Sequence, residues 1–173
     1  MKLIIKLALF LSLVAGLSAG AMSYVFQLTH PIITQAQKEA ETNQLNAIYK
    51  QSHFQSVSFD HKEYPLIENI YEAKKDEKRE GYVYKISTPG YGGHIVYLVA
   101  LDQSGRYLGY SPIDVTTETS GFGSRVGTKE MADRINKKQI GSGIDTLSGA
   151  TISSKAVVKG IEQATTHYQK HYK

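Results

Sequence analysis

The chain has 173 residues, room for one domain of ordinary size once an N-terminal segment is set aside. It contains no cysteine, which excludes disulfides, thiolate metal sites, iron–sulfur ligation, catalytic thiols and a lipid-modified N-terminal cysteine. Its 20 basic and 16 acidic residues are interspersed, as in Lys74-Lys-Asp-Glu-Lys-Arg-Glu80, which suits a solvated surface and argues against a nucleic-acid partner.

Residues 7–29 carry no charge, a length of about 35 Å as helix against a hydrocarbon core of about 30 Å. The segment is long enough to span a lipid bilayer, and Lys2 and Lys6 before it place the N-terminus in the cytoplasm and the rest of the chain outside. Ala19-Gly20-Ala21 also satisfies the small-x-small pattern of a signal-peptide cleavage site, so an anchor (residues 1–30) and a cleaved leader both remain open. The apolar run continuing through Met22, Tyr24, Val25, Phe26 and Leu28 favours the anchor. Either way, the remainder is exported.

After Pro31, Ile33, Ala36, Ala40, Leu45 and Ile48 recur at roughly helical spacing, which predicts a juxtamembrane helix or linker over 31–55, kinked or restarted at the proline. From about Ser56 turn residues recur every eight to twelve positions, as expected for short strands. Strands are predicted at Ile67 to Ala73, Gly81 to Ser87, His94 to Leu101 and Arg106 to Val115, with Asp102-Gln-Ser-Gly105 as a hairpin turn. Glu130 to Gln139 reads as a short polar helix resting on Met131, Ile135 and Ala132. Ile152, Ala156, Val157, Gly160, Ile161, Ala164 and Tyr168 then mark one face of a final helix. The sum is an α+β domain over 56–173, with a largely antiparallel sheet and flanking helices.

That last helix begins in Asp145-Thr-Leu-Ser-Gly-Ala-Thr-Ile-Ser-Ser154. Ser148, Thr151, Ser153 and Ser154 crowd its start, where side-chain oxygens can satisfy free amide donors and the positive end of the helix dipole favours an anion. On these residues alone the segment is either an ordinary capped helix or a place to hold a phosphate.

Asp145, Ser148, Gly149, Ala150 and Thr151 match the Asp-x-x-Ser/Thr-Gly-Ala-Thr pattern of bacterial proteins carrying covalent flavin mononucleotide (FMN). Thr88-Pro-Gly-Tyr-Gly-Gly-His-Ile95 resembles the Gly-Tyr-x-Gly-x-Ile element of the G-type subunits of Rnf complexes and of the C-type subunits of sodium-pumping quinone reductases. Glu118-Thr-Ser-Gly-Phe-Gly123 resembles their Glu-Thr-Pro-Gly-Leu-Gly loop, with Ser120 in place of proline and Phe122 in place of leucine. The three elements stand in family order.

The resemblance implies a membrane-anchored flavoprotein that relays electrons, with the FMN phosphate esterified to Thr151 by a flavin transferase and Asp145 serving the transfer. It further implies cofactor contacts from Glu118, Thr119, Gly121, Phe122, Gly123, Leu147, Ser148, Gly149, Ala150 and Ser153, and redox-complex subunits as partners. An exported flavin reductase or other electron-transfer protein outside an Rnf complex, and a non-redox binding domain without flavin, are the alternatives. No residue is expected to act as an independent catalyst or to bind a metal.

His167 and His171 lie four apart on the last helix without a third ligand beside them, and are expected to be solvent-exposed. His94 reads as a strand-edge histidine or one close to the flavin, and Tyr91 as a stacking residue or a turn closure. Acyl-transfer chemistry is not expected at Ser148-Gly-Ala-Thr151, because that turn carries neither Gly-x-Ser-x-Gly nor Ser-x-x-Lys.

Overall fold

A computed structural model describes residues 2–172. The chain divides into two units, one ending at Ala40 and one beginning at Glu41.

The N-terminal unit is helical throughout. It forms most of α1 (Lys2–Ile48), which contains Pro31 and continues through it without the restart that was one of the two expected outcomes. Proline removes one amide donor and crowds the preceding turn, yet the helix runs on through it, with Thr29 and Thr34 hydroxyls folded back onto the Val25 and His30 carbonyls, both at 2.9 Å, on either side. Leu3, Leu7, Phe10, Leu13, Leu17, Val25 and Leu28 are all exposed on this helix. Its length and apolar composition are sufficient to cross a membrane.

The second unit is a five-stranded antiparallel meander: β1 (His53–Ser56), β2 (Ile67–Lys75), β3 (Lys78–Pro89), β4 (His94–Asp102) and β5 (Tyr107–Asp114), in spatial order β1-β2-β3-β4-β5. A short 3-10 helix (Gly123–Gly127), α2 (Lys129–Ile135) and α3 (Thr151–His171) complete it. The four predicted strands and two helices are present, and β1 is added. The β2–β3 turn places Asp76 and Glu77 at φ 49° and 62°, the paired left-handed geometry favoured in tight hairpins.

Strand periodicity divides the sheet into two faces. Tyr82, Tyr84 and Ile86 of β3, with Ile95, Tyr97, Val99 and Leu101 of β4, face the principal core. Against them α3 lays Val157, Ile161, Ala164 and Tyr168, while Met131 and Ile135 come from α2. Gly160 allows the close approach: a methyl group there would lie 2.6 Å from Ile86 Cγ2 and 2.7 Å from Thr88 Cγ2, and would collide with the Tyr97 hydroxyl. On the opposite face, Leu45 and Tyr49 cover Ala73, Val83, Leu98 and Ala100. Because β4 is buried on both faces, its sequence is nearly all apolar.

Buried tyrosines bind the layers together through backbone carbonyls. Tyr97 donates to Val157 at 2.7 Å, Tyr110 to Val126 at 2.9 Å, Tyr168 to Asp102 at 2.9 Å and Tyr49 to Leu101 at 2.9 Å. His167 corrects the sequence expectation. It is buried, its Nδ1 lies 3.1 Å from the Tyr84 hydroxyl, and Phe59 and Tyr64 ring edges surround it. Burial pushes its pKa down to about 4, with His171 adding to the effect. His171 itself is exposed, as expected.

Candidate functional site

Three segments converge at the N-terminal end of α3. Their cleft, of about 380 Å³, is lined by Tyr91 from the β3–β4 turn, by Thr119, Phe122 and Gly123 from the loop after β5, and by Gly149 to Ser153 at the start of α3. Among the described residues beyond residue 40, the large apolar side chains that remain exposed are Tyr91, Leu108, Phe122 and Ile152. Three of these four rim this cleft: Tyr91, Phe122 and Ile152, at 69, 61 and 58% exposure. Such a concentration of solvent-facing apolar surface marks a place where something else binds.

One carboxylate fastens the three walls. Glu118 is 5% exposed. Its Oε1 accepts the Tyr91 and Gly92 amides at 2.8 and 3.0 Å, and its Oε2 accepts the Ser153 hydroxyl in a short hydrogen bond. Glu118 and Ser153 are therefore committed to the frame of the cleft.

The start of α3 is open. Its N-cap position is Ala150, whose side chain cannot cap, and the first turn contains no acidic residue. The four crowded hydroxyls do not act as expected: Ser154 Oγ accepts the Leu147 amide at 3.1 Å and donates to the Ala150 carbonyl at 2.8 Å, and Ser153 serves Glu118. The first-turn amides thus have no capping side chain of their own, and the carboxylate nearest to them, Glu118, is engaged with Ser153 and the Tyr91 and Gly92 amides. Thr151 is exposed on this turn, and its hydroxyl makes no hydrogen bond among the described residues. Gly149 precedes it at φ +79°, in the left-handed region that lets the loop turn directly into the helix.

Of the residues expected at the site, Thr119, Phe122, Gly123, Gly149, Ala150, Thr151 and Ser153 line the cleft. Gly121 is exposed in the adjoining turn at φ +76°. Leu147 lies instead in the core, fully buried, and Ser148 and Asp145 are exposed outside the lining. His94 sits at the strand edge, its Nδ1 3.1 Å from the Ser87 hydroxyl. Tyr91 belongs to the cleft lining, and Ile152 joins it unanticipated.

Arg125 was also invisible in the motifs. Its Nη1 donates to the Ser148 carbonyl at 2.6 Å and lies 3.6 Å from where a Gly149 Cβ would sit. Its spacing to the Gly-Phe-Gly loop carries no signal by itself. The contact with a backbone carbonyl across 23 residues is tertiary.

The cleft fits FMN in kind: an apolar rim for a flat heterocycle beside an open helix start and a free hydroxyl for its phosphate. Residues 90–166 match the FMN-binding domain family model, and residues 1–48 match the RnfG N-terminal region. The G-type subunit of the ion-translocating oxidoreductase complex of Stutzerimonas stutzeri is 30% identical over 91% of this chain and 77% of its own length. The G-type subunit of the proton-translocating ferredoxin:NAD(+) oxidoreductase complex of Clostridium ljungdahlii is 25% identical, over 89% and 85%. Among solved structures, NqrC of Shewanella oneidensis shares the fold at TM-score 0.52 and 17% identity, covering 68% of this chain and 67% of that one. The C-type subunit of the Na(+)-translocating NADH-quinone reductase of Parabacteroides distasonis does so at TM-score 0.50 and 20% identity, over 59% of this chain and 61% of that one. With its FMN-binding domain, its matching N-terminal region and a relative similar along nearly its whole length, the chain belongs to the RnfG family, the G-type subunits of ion-translocating oxidoreductase complexes.

Proposed function

We propose that this chain is a membrane-anchored electron-relay subunit working through FMN esterified to Thr151. The observation that carries the reading is the apolar-rimmed cleft sharing its wall with an exposed, unbonded threonine hydroxyl at an uncapped helix start. Family membership supports the rest: partner subunits of a redox complex, residues 7–29 in the bilayer, and the flavin domain on the outer face, following the Lys2 and Lys6 charge bias.

Bound FMN supplies reversible electron uptake and release. The chain binds, orients and shields it. Tyr91, Phe122 and Ile152 present the apolar surface for its ring system and exclude water there. The hydroxyl of Thr119 is a polar group of the lining left free by the Glu118 clamp, and serves a hydrogen bond to the cofactor's polar edge. Gly149 keeps the approach to Thr151 clear of side-chain bulk, and the first turn of α3 supplies amides and dipole to the phosphate.

Loading is a phosphoryl transfer without redox change. Thr151 Oγ1 forms a bond to the flavin-side phosphorus of a flavin dinucleotide held by a transferase. The anhydride P–O bond breaks, a nucleoside monophosphate leaves, and the threonine proton passes to a base of the transferase. Intact-mass measurement of the full chain co-expressed with a flavin transferase tests this. The expected result is a gain of one esterified FMN that is lost in Thr151→Ala; an unmodified wild-type chain, or a gain that survives the substitution, overturns it.

A further inference from the structure

The loop that carries Thr151 is gripped from its outer side by a charged cluster. Arg134 Nη1 donates to the Thr146 carbonyl at 2.9 Å, and Arg125 Nη1 donates to the Ser148 carbonyl at 2.6 Å. These two carbonyls flank Leu147, whose side chain is fully buried and whose amide donates to Ser154. Glu130, in the first turn of α2, joins the two arginines: its Oε2 lies 2.7 Å from Arg125 Nη2, and its Oε1 lies 3.6 Å from Arg134 Nη2. Arg125 and then Arg134 hold the Glu130 carboxyl below its ordinary pKa.

Core packing at Leu147 fixes the loop's depth, and the two guanidiniums fix its rotation. Gly149, two residues on, has no Cβ to restrict the backbone, so the direction in which Thr151 leaves the loop depends on what precedes it. The Arg125 amide also donates to the carbonyl of the cleft residue Phe122 at 3.0 Å, so the cluster ties the acceptor loop to the wall opposite it. Its energetic weight as a set of half-exposed ion pairs is small. Its geometric weight is larger, because an acceptor hydroxyl must meet the phosphorus of its donor in line.

Resting on the reading of Thr151 as the flavin acceptor, we propose that Glu130 is a positioning residue for the flavin-transfer step, acting through Arg125 and Arg134 to hold the acceptor loop in the conformation that presents Thr151. In that step the Thr151 Oγ1–phosphorus bond forms as the anhydride bond of the flavin dinucleotide breaks, nucleoside monophosphate leaves, and the threonine proton goes to the transferase. Loss of the brace slows loading by lowering the turnover of the transferase on this protein, while the folded domain persists.

The test uses the detergent-solubilised full chain as substrate for a purified flavin transferase with flavin dinucleotide, following covalent occupancy by intact mass against time. Glu130→Ala and Glu130→Gln are compared with wild type and Thr151→Ala, and each variant's thermal midpoint is measured. The expected result is loading slowed by about tenfold in Glu130→Ala, with kcat falling more than KM changes. Glu130→Asp should recover part of the rate, and the midpoint should stay within about 4 °C of wild type. Wild-type rates in both Glu130→Ala and Glu130→Gln overturn the inference and leave the flavin assignment standing. Slowing that tracks the fraction unfolded across the variants overturns it as well. A wild-type chain that takes no flavin overturns both.

Discussion

The two faces of the sheet are covered in different ways. On the site-bearing face the 21-residue α3 sinks Val157, Ile161, Ala164 and Tyr168 into a continuous apolar core, drawn in by Gly160. On the other face little more than Leu45 and Tyr49 seals a small cluster, and the remaining adhesion is polar. Glu41 accepts from the Lys85 ammonium at 2.8 Å and from the Tyr71 hydroxyl at 2.5 Å, and Gln44 donates to the Pro112 carbonyl at 2.7 Å. Burial and then the Glu41 contact push the Tyr71 phenol up to about 12. A broad apolar contact reinforced by tyrosine bonds holds α3 in register, whereas the cover on the opposite face relies on a smaller contact and a few polar bonds. The face that must position a cofactor has the more rigid solution.

The contrast breaks most completely at Gly160. Gly160→Val pushes methyl groups into Ile86, Thr88 and Tyr97, and should cost about 3 kcal/mol or more, lowering the denaturant midpoint and abolishing flavin loading together. The polar cover is weaker. Glu41→Ala takes the nearer carboxylate from Lys85, leaving Glu68 at 3.5 Å, and the acceptor from the Tyr71 hydroxyl, and should cost about 2 kcal/mol after discounting for partial exposure. Covalent loading at Thr151 should proceed at the wild-type rate, since the substitution touches the far face.

Acid sharpens the same contrast on a smaller scale. His167 has a folded pKa of about 4 against 6.5 unfolded, so the unfolded chain binds the proton more readily. The stability that its neutral form contributes is complete above pH 6.5 and is lost as pH falls toward 4. Thermal midpoints recorded across that window should fall less steeply in His167→Gln than in wild type. Parallel slopes would show that the imidazole does not control this response.

The parts of the fold that could be read from sequence are those where one side chain's environment repeats. β4 announces itself because both faces are buried, and α3 because its buried positions recur every three or four residues. β1 does not, since His53 to Ser56 forms a largely exposed edge with no alternation. The continuity of α1 through Pro31 was hidden by proline's strong local penalty, which is one lost amide bond in a helix of 47 residues. His167 looked like half of an exposed pair because nothing local reveals Tyr84, 83 positions earlier, as its partner.

At the site, motif residues and cleft residues largely coincide, yet roles differ. Glu118 and Ser153 belong to the frame, Leu147 to the core, and the apolar rim gains Tyr91 and Ile152. Arg125 and Arg134 were unreadable because each serves a backbone carbonyl, and a carbonyl is present at every residue. Only the four-residue spacing of Glu130 and Arg134 was visible in principle, and such pairs usually decorate solvated helices.

The tyrosine bonds of the core have a further consequence for a domain that handles electrons. A chain with twelve tyrosines, no tryptophan and no cysteine has phenols as its main oxidisable rings. A phenol gives up an electron readily only when its proton can leave as well, and the hydroxyls of Tyr97 and Tyr110 point at amide carbonyls, which do not take protons. Burial pushes both phenol pKa values up, closing the route through prior ionisation. Tyr84 has a His167 ring nitrogen 3.1 Å from its hydroxyl, but burial pushes this phenol up as well and pushes the imidazole down to about 4, which makes it a weak proton acceptor. Radical damage that escapes the cofactor should therefore spare all three of these buried phenols.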